Sequence, residues 1–507
     1  MFSKVKSAAV YGIESRIISV EADVSDGLPQ FTMVGYLTSA VREAQDRVRT
    51  AIKNSGYKLM PKKITVNLSP ADIRKSGSGF DLPIAVAVMA AYGFIPDDLL
   101  KGVFLAGELS LDGSIRGIRG ILGMIMEARN AGCRSCIIPQ ENVQEGAVIQ
   151  GIEVCGAAHL KEVIRHFSSS QKLVPTSINI EEKLSKPPEF RVPDFADIKG
   201  QHIVKRAAEI AAAGMHNLLI SGPPGAGKSM IAARIPGILP PMEFEEALEV
   251  SKIYSISGEL PESGILLERP FRMPHHTVSA VALAGGGKIP RPGEISLAHR
   301  GVLYLDELPE FQKETLEVLR QPLEEGEVRI SRSSGQFVFP ADFMLVASRN
   351  PCKCGYYPDR TRCHCSEQEV RRYLHRISRP LLDRIDLHAE AKQMQYEELT
   401  DTAPEESTET IRQRVLQAQK RQAERYRGSR FRFNSELASS ALETYCVTEP
   451  SAKERLKYIY EQKRMTARSY HKLIKVARTI ADLEGCETID ARHVGEAVVY
   501  RPAELLQ

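Results

Sequence analysis

The chain has 507 residues, enough for two or three domains that each bury a core. Its 67 Lys and Arg against 64 Asp and Glu leave a net charge of +3, so no global polyanion-binding signature exists and any nucleic-acid contact must be local. No stretch reaches the apolar length of a membrane span and residues 1–20 lack a signal-peptide core, which predicts a cytoplasmic chain with no membrane partner.

Residues 1–167 alternate strand-like runs, Lys63-Ile64-Thr65-Val66-Asn67-Leu68 and Val103-Phe104-Leu105-Ala106, with helical patterns over 38–55, 83–92 and 123–131. That mixture predicts an α+β or α/β domain. Cys133 and Cys136 form a C-x-x-C, yet Cys136-Ile137-Ile138 reads as entry into a buried strand, which favours core packing over redox chemistry. Residues 168–190 are polar, Pro-punctuated and without period, and read as a linker. A segment over 191–395 carries the chemistry described next, and 396–507 is charged and helical, with helices over 408–427 and 467–484.

Within 191–395, Gly222-Pro223-Pro224-Gly225-Ala226-Gly227-Lys228-Ser229 fills every fixed position of the phosphate-binding loop G-x-x-x-x-G-K-S/T. It follows an apolar strand at 217–221 and precedes a helix-compatible run at 230–233, the context the motif requires. Glycines let backbone N–H groups cradle phosphates, Lys228 reaches the terminal phosphates and the Ser229 hydroxyl ligates Mg²⁺. A second apolar run, Val302-Leu303-Tyr304-Leu305, ends in Asp306-Glu307. Asp306 is placed to hold Mg²⁺ and Glu307 to polarise the attacking water, because phosphoryl transfer needs positioning and charge neutralisation. The chain is therefore expected to bind and hydrolyse a nucleoside triphosphate, which the resemblance given below implies is ATP.

Two alternating runs, 327–331 and 336–339, flank Arg332-Ser333-Ser334-Gly335 and predict a β-hairpin with Arg329 and Arg332 near its tip. Lys288 and Arg291 lie in a Gly-rich segment that starts at His275. Basic tips suit sequence-independent contact with a phosphate backbone, and solvated loop charges are the alternative. Cys352, Cys354, Cys363 and Cys365 form two C-x-C pairs across a turn, a spacing suited to a structural Zn²⁺. His364 is a possible substitute for one thiolate, and a redox pair or unligated thiols are the other readings. His275 and His276 lack a partner carboxylate, which favours hydrogen-bonding or ring contacts over metal ligation.

In order along the chain, the phosphate loop, Leu303 through Glu307, the strand 343–347 leading to Asn350, and Leu381-Leu382-Asp383-Arg384 resemble an AAA+ ATPase of the magnesium-chelatase-like branch. Arg272-Met273-Pro274-His275-His276-Thr277, Gly285-Gly286-Gly287, Pro292-Gly293-Glu294-Ile295-Ser296 and Asn350-Pro351-Cys352 narrow the resemblance to the YifB/ComM family. Ser348-Arg349 departs from the small or apolar residues expected before Asn350. The resemblance implies that Asn350 is sensor 1, that Arg384 is an arginine finger for the neighbouring subunit (with Arg376 and Arg379 as rivals), and that Arg468 is sensor 2 in a helical lid. It further implies a homo-hexameric ring with the hairpin facing its pore.

At the N-terminus, Gly107 through Gly113 and Ala131 through Pro139 resemble the Lon-protease-like fold of the ribosomal S5 domain 2 type. Laid on that family's catalytic segments, the Ser and Lys positions fall on Gly79 and Met124, and neither can do that chemistry. The expected fold is thus α/β multidomain: a non-proteolytic Lon-like α+β domain, an AAA+ core and a C-terminal helical lid. The expected function is a DNA motor on single-stranded or branched DNA, a branch-migration helicase acting on recombination intermediates in natural transformation, with other recombination proteins as partners. A chelatase-type motor that remodels a metal-insertion partner is the alternative.

Overall fold

A computed structural model describes residues 1–179, 193–287, 290–332, 335–396, 398 and 403–501, and they form two compact units. The first consists of Met1–Pro187 together with Glu243–Leu267 and Ser331–Val338. Its eight-stranded sheet runs, in spatial order, Pro175–Thr176, Glu153–Ala157, Ser135–Pro139, Val103–Leu105, Phe2–Tyr11, Glu14–Ser25, Lys63–Ser69 and Gln30–Val34. The helix Asp81–Ala91 is buried along its whole length, which its unbroken apolar run after Asp81 permits. The helix expected over 38–55 is two, Ser39–Arg42 and Ala44–Asn54, meeting at Glu43. Val41, Ala44, Val48, Ala51 and Ile52 are buried on both sides of that break, so one periodicity conceals it.

Part of the expected linker belongs to this sheet. Thr176 and Pro175 pair antiparallel with Val154 and Cys155, a two-residue strand too short to leave a periodic signal. Residues 180–192 lie outside the described residues. Cys136 stands in the Ser135–Pro139 strand and is fully buried, as the core reading of the C-x-x-C requires. Met124 is buried in the same cluster, and a side chain at Gly79 would meet Ile118 at 3.0 Å. The segmentation differs as well. The helix Phe244–Ser257, which the sequence assigns to the ATPase segment, packs in the first unit against the helix Ile121–Asn130, where Gly120 N–H donates to Ser255 O.

The second unit is Pro188–Met242, Glu268–Ile330 and Phe339–Gln507. Its sheet has five strands, all parallel, in the order Phe271–Arg272, Val302–Leu305, Met344–Arg349, Leu218–Ser221, Leu387–Glu390. Strands buried on both faces read as continuous apolar runs, which makes Leu218–Ser221, Val302–Leu305 and Met344–Arg349 legible, whereas the two-residue Phe271–Arg272 and the mixed Leu387–Glu390 leave no such run. The helices Thr408–Arg425 and Ala467–Glu484 are not a separate body. Ile411, Val415, Leu473, Ala477 and Ile480 share one apolar cluster with Leu218, Val302 and Val346 of the sheet. A buried polar seam accompanies it: Lys472 Nζ lies 2.8 Å from Asp386 Oδ1, and the His216 ring bonds Thr479 Oγ1 at 2.8 Å.

Candidate nucleotide site and cysteine cluster

Parallel register decides which residues meet at the carboxyl edge of the five-stranded sheet. Leu305 pairs with Ala347 and Ser221 with Arg349, so Asp306 follows its strand level with Ser348, and Gly222 follows its strand level with Asn350, at one sheet edge. Gly222 N–H donates to Arg349 O at 3.1 Å, and a Cβ on Gly222 would stand 2.5 Å from Ala391 O, so the backbone approach at this position excludes any side chain. Gly227, at φ +79, is the left-handed turn that delivers Lys228 to the start of the helix Lys228–Ala232. The loop 222–229 thus ends at a helix N-terminus, the geometry that receives phosphate oxygens.

Lys228 Nζ donates to Gly222 O at 2.7 Å, Pro223 O at 2.9 Å and Asn350 Oδ1 at 3.0 Å. Burial pulls its pKa down, and the charges of Asp306 and Glu307 oppose that shift. Asn350 and Lys228 are therefore already in contact, as a γ-phosphate sensor and a phosphate-binding lysine need to be.

Asp306 is held from two sides. Its Oδ1 accepts from Tyr304 Oη at 2.9 Å and from Ser348 Oγ. Glu307 N–H donates to both Asp306 Oδ1 and Ser348 Oγ at 3.1 Å, and Glu307 itself sits at φ 50, ψ 50, where a non-glycine residue costs about 1–3 kcal/mol. That conformation turns the chain into the short helix Leu308–Glu310 and leaves the Glu307 side chain exposed. Tyr304 and Ser348 hold Asp306 through contacts that the motif reading missed. The departure at Ser348 was the available signal: a hydroxyl where a small or apolar residue is expected implies a partner, and the partner is Asp306. Arg349 Nε, from the same departure, donates to Ser221 Oγ at 2.8 Å.

Arg384 and Arg468 meet elsewhere. Both contact one oxygen of Glu324, Arg384 Nη2 at 2.5 Å and Arg468 Nη2 at 3.1 Å. Arg376 pairs instead with Glu310 at 2.9 Å, and Arg379 is exposed.

Cys352, Cys354, Cys363 and Cys365 place all four sulfurs within 4.8 Å of one another. Three Sγ–Sγ distances are 3.3, 3.7 and 3.5 Å, close to the roughly 3.8 Å between thiolates on a tetrahedral Zn²⁺ with bonds near 2.3 Å. The Tyr356 backbone N–H draws the Cys354 thiol down, whereas burial pushes the Cys363 thiol up, the opposite shifts expected of thiols crowded together. The donor set fits zinc. His364 is exposed and outside the cluster. The knuckle also touches the nucleotide loop, since a Cβ on Gly355 would stand 2.5 Å from Pro224 Cδ.

The hairpin is present as Glu327–Arg332 and Gly335–Pro340, with Val328, Ile330, Phe337 and Phe339 buried and Arg329 on the exposed face. Arg329 is paired with Glu327 at 2.5 Å and Glu325 at 3.6 Å, and Arg332 Nη1 donates to Ser331 O. Lys288 lies outside the described residues; Gly285–Gly286 before it and Arg291–Pro292 after it pair antiparallel. His275 bonds Thr277 Oγ1 at 2.9 Å and stacks on His276 at 4.0 Å.

Three family profiles match the chain: magnesium chelatase subunit ChlI over residues 194–399, subunit ChlI of Mg-chelatase over 20–142, and the ChlI C-terminal region over 405–501. The uncharacterized protein YifB of Salmonella typhimurium is 41% identical over 99% of this chain and 97% of its own length. Competence protein ComM of Haemophilus influenzae is 40% identical over 98% and 97%. The magnesium-chelatase 67 kDa subunit of Chlorobaculum parvum is 29% identical over 31% of this chain and 23% of its own.

Proposed function

Because the chain belongs to the YifB/ComM family of magnesium-chelatase-like AAA+ ATPases, we propose that it is a ring-shaped, ATP-driven DNA motor acting on single-stranded or branched DNA during natural transformation. Family membership implies ATP hydrolysis. The observation that carries the reading is the contact of Lys228 with Asn350 at one sheet edge, beside Asp306 gripped by Tyr304 and Ser348. Ser229 and Asp306 would hold Mg²⁺, which supplies charge neutralisation on the phosphates. This chain's own work is to cradle phosphate in the loop 222–229, orient a water at Glu307 and read the terminal phosphate through Asn350. The four thiolates would hold a structural Zn²⁺.

Arg384 supports a ring, since its contacts, Glu324 and Pro380 O, include neither Lys228 nor Asp306 of its own chain. A homo-hexamer that shares sites between subunits is the assembly proposed. The relative named competence protein ComM supports DNA as the substrate, and the paired hairpin with Arg329 and Arg332 supplies a contact surface. A chelatase-type motor that remodels a protein partner is favoured by one observation: two carboxylates neutralise Arg329. ATPase rates with and without single-stranded or branched DNA separate the two. Stimulation with a steep loss at rising salt is the expected result, and a rate indifferent to every DNA would move the assignment to the chelatase-type motor.

A further inference from the structure

Two cations that reach one carboxylate oxygen from distant parts of the chain need an explanation. Arg384 follows the short helix Arg379–Leu382 ahead of the last sheet strand, whereas Arg468 stands in the first turn of Ala467–Glu484. Glu324 lies in the turn Pro322–Glu325 that leads into the hairpin, and its side chain is 49% exposed where that of Arg384 is 8%. Burial raises the Glu324 carboxyl, but hydrogen bonds and charge from Arg384 and then Arg468 overcome it and leave the group below its ordinary value. Arg384 is further fixed by donation from Nη1 to Pro380 O at 2.6 Å. A second tie runs in parallel, because Asp386, two residues past Arg384, pairs with Lys472, one turn past Arg468. The strand start and the helix are thus joined both through Glu324 and through the buried seam.

We propose that Glu324 is a positioning residue that gathers Arg384 and Arg468 into one rigid pair of guanidiniums for the terminal phosphate of ATP held by the neighbouring subunit. This rests on the shared-site ring proposed above. Guanidiniums sharing an oxygen would repel one another without the carboxylate, whereas with Glu324 they are held before the phosphate arrives, the condition under which donors act most strongly on developing charge. Each guanidinium has five donors, so both can keep Glu324 and still bind phosphate oxygens. The position of Glu324 immediately before the hairpin gives the hairpin a direct covalent route to the pair.

The test uses the full chain with ATP and Mg²⁺. Glu324→Gln keeps the shape and removes the charge: kcat is expected to fall about tenfold or more, while ATP-analogue affinity and ATP-dependent assembly stay near wild type. Glu324→Asp should recover part of the rate. Mixing decides the face. Glu324→Gln mixed with Glu307→Gln should regain ATPase activity, because one interface then pairs an intact arginine face with an intact Glu307. Glu324→Gln mixed with Arg384→Ala should not, because both lesions lie on the same face. Wild-type kcat in Glu324→Gln, or recovery with Arg384→Ala but not with Glu307→Gln, overturns the proposal. The control mixture of Arg384→Ala with Glu307→Gln separates the two levels: its failure removes the shared-site ring and Glu324's role with it, whereas its success beside a failed Glu324→Gln mixture removes Glu324 alone.

Discussion

At the nucleotide edge, Lys228, Asp306, Glu307 and Asn350 are held by one another or by Tyr304 and Ser348, whereas on the hairpin Arg329 is held by its own sequence neighbours Glu325 and Glu327. The first arrangement is convergent: side chains that follow three strands meet because the parallel register brings the strand ends to one sheet edge. The second is local, and exposed local ion pairs contribute only about 0–1 kcal/mol and give way to a competing ligand. A convergent site is built for one geometry. A local pair can trade partners, which suits a surface that must release what it holds.

The largest effect should come from the convergent side. Glu307→Gln is expected to bind ATP and assemble yet lose hydrolysis by a factor on the order of 10²–10³, while Lys228→Ala should lose ATP binding itself. Near-wild-type turnover in Glu307→Gln would falsify the assignment of the catalytic carboxylate. Next is the cysteine knuckle. Protein purified under reducing conditions should carry about one Zn²⁺ per chain by elemental analysis, released on acidification as thiolates protonate. Because Gly355 lies against Pro224, removal of the metal should weaken ATP binding roughly tenfold, in line with the loss from other disturbed metal shells. Zinc-free protein with full ATP affinity would uncouple the knuckle from the loop.

Ser348→Ala tests whether the hydroxyl belongs to the site. Expected is a kcat about tenfold lower, or roughly 1.4 kcal/mol, with ATP affinity little changed, since Asp306 keeps Tyr304 but loses the Ser348 hydroxyl, and the Glu307 N–H loses one of its two acceptors. An unchanged kcat makes the contact incidental. The smallest effect is expected on the local side. Arg329→Ala should change DNA affinity only about twofold because Glu325 and Glu327 already offset its charge. A loss of about tenfold or more in filter binding at matched salt would show that Arg329 grips phosphate in spite of those carboxylates.

What was legible in the sequence follows the same division. The buried strands Leu218–Ser221, Val302–Leu305 and Met344–Arg349 announced themselves as apolar runs, and the motifs at their ends needed only that context. The Ala467–Glu484 helix was read to its ends because Thr466 caps it and Gly485 closes it. Glu324 left no such mark. An acid in Pro322-Leu323-Glu324-Glu325 is ordinary in any exposed turn, and only tertiary structure brings Arg384 and Arg468 to it. The pairing of Pro175 and Thr176 with the first sheet, and the place of 243–267 in the first unit, were hidden for a related reason: local pattern says which face is apolar, not what covers it.

That last feature bears on how the protein comes into being. The first unit is assembled from three separate stretches of chain, the last of which ends at Val338. During synthesis the eight-stranded sheet and its own helices emerge first; the unit is completed only when Leu248 of the Phe244–Ser257 helix reaches the cluster around Ile121, Leu122 and Ile125, and when Phe337 arrives, whose ring lies 4.7 Å from Tyr11. By then the phosphate loop and the Asp306 strand have already emerged. The two units therefore mature together instead of one after the other, their contacts spanning hundreds of residues, which slows folding and leaves apolar surface waiting for its cover. A nascent chain stalled before residue 243 would hold a complete sheet with the Ile121–Asn130 helix packed on it, but without the cover that Phe244–Ser257 gives that helix, and so with apolar surface open to chaperones.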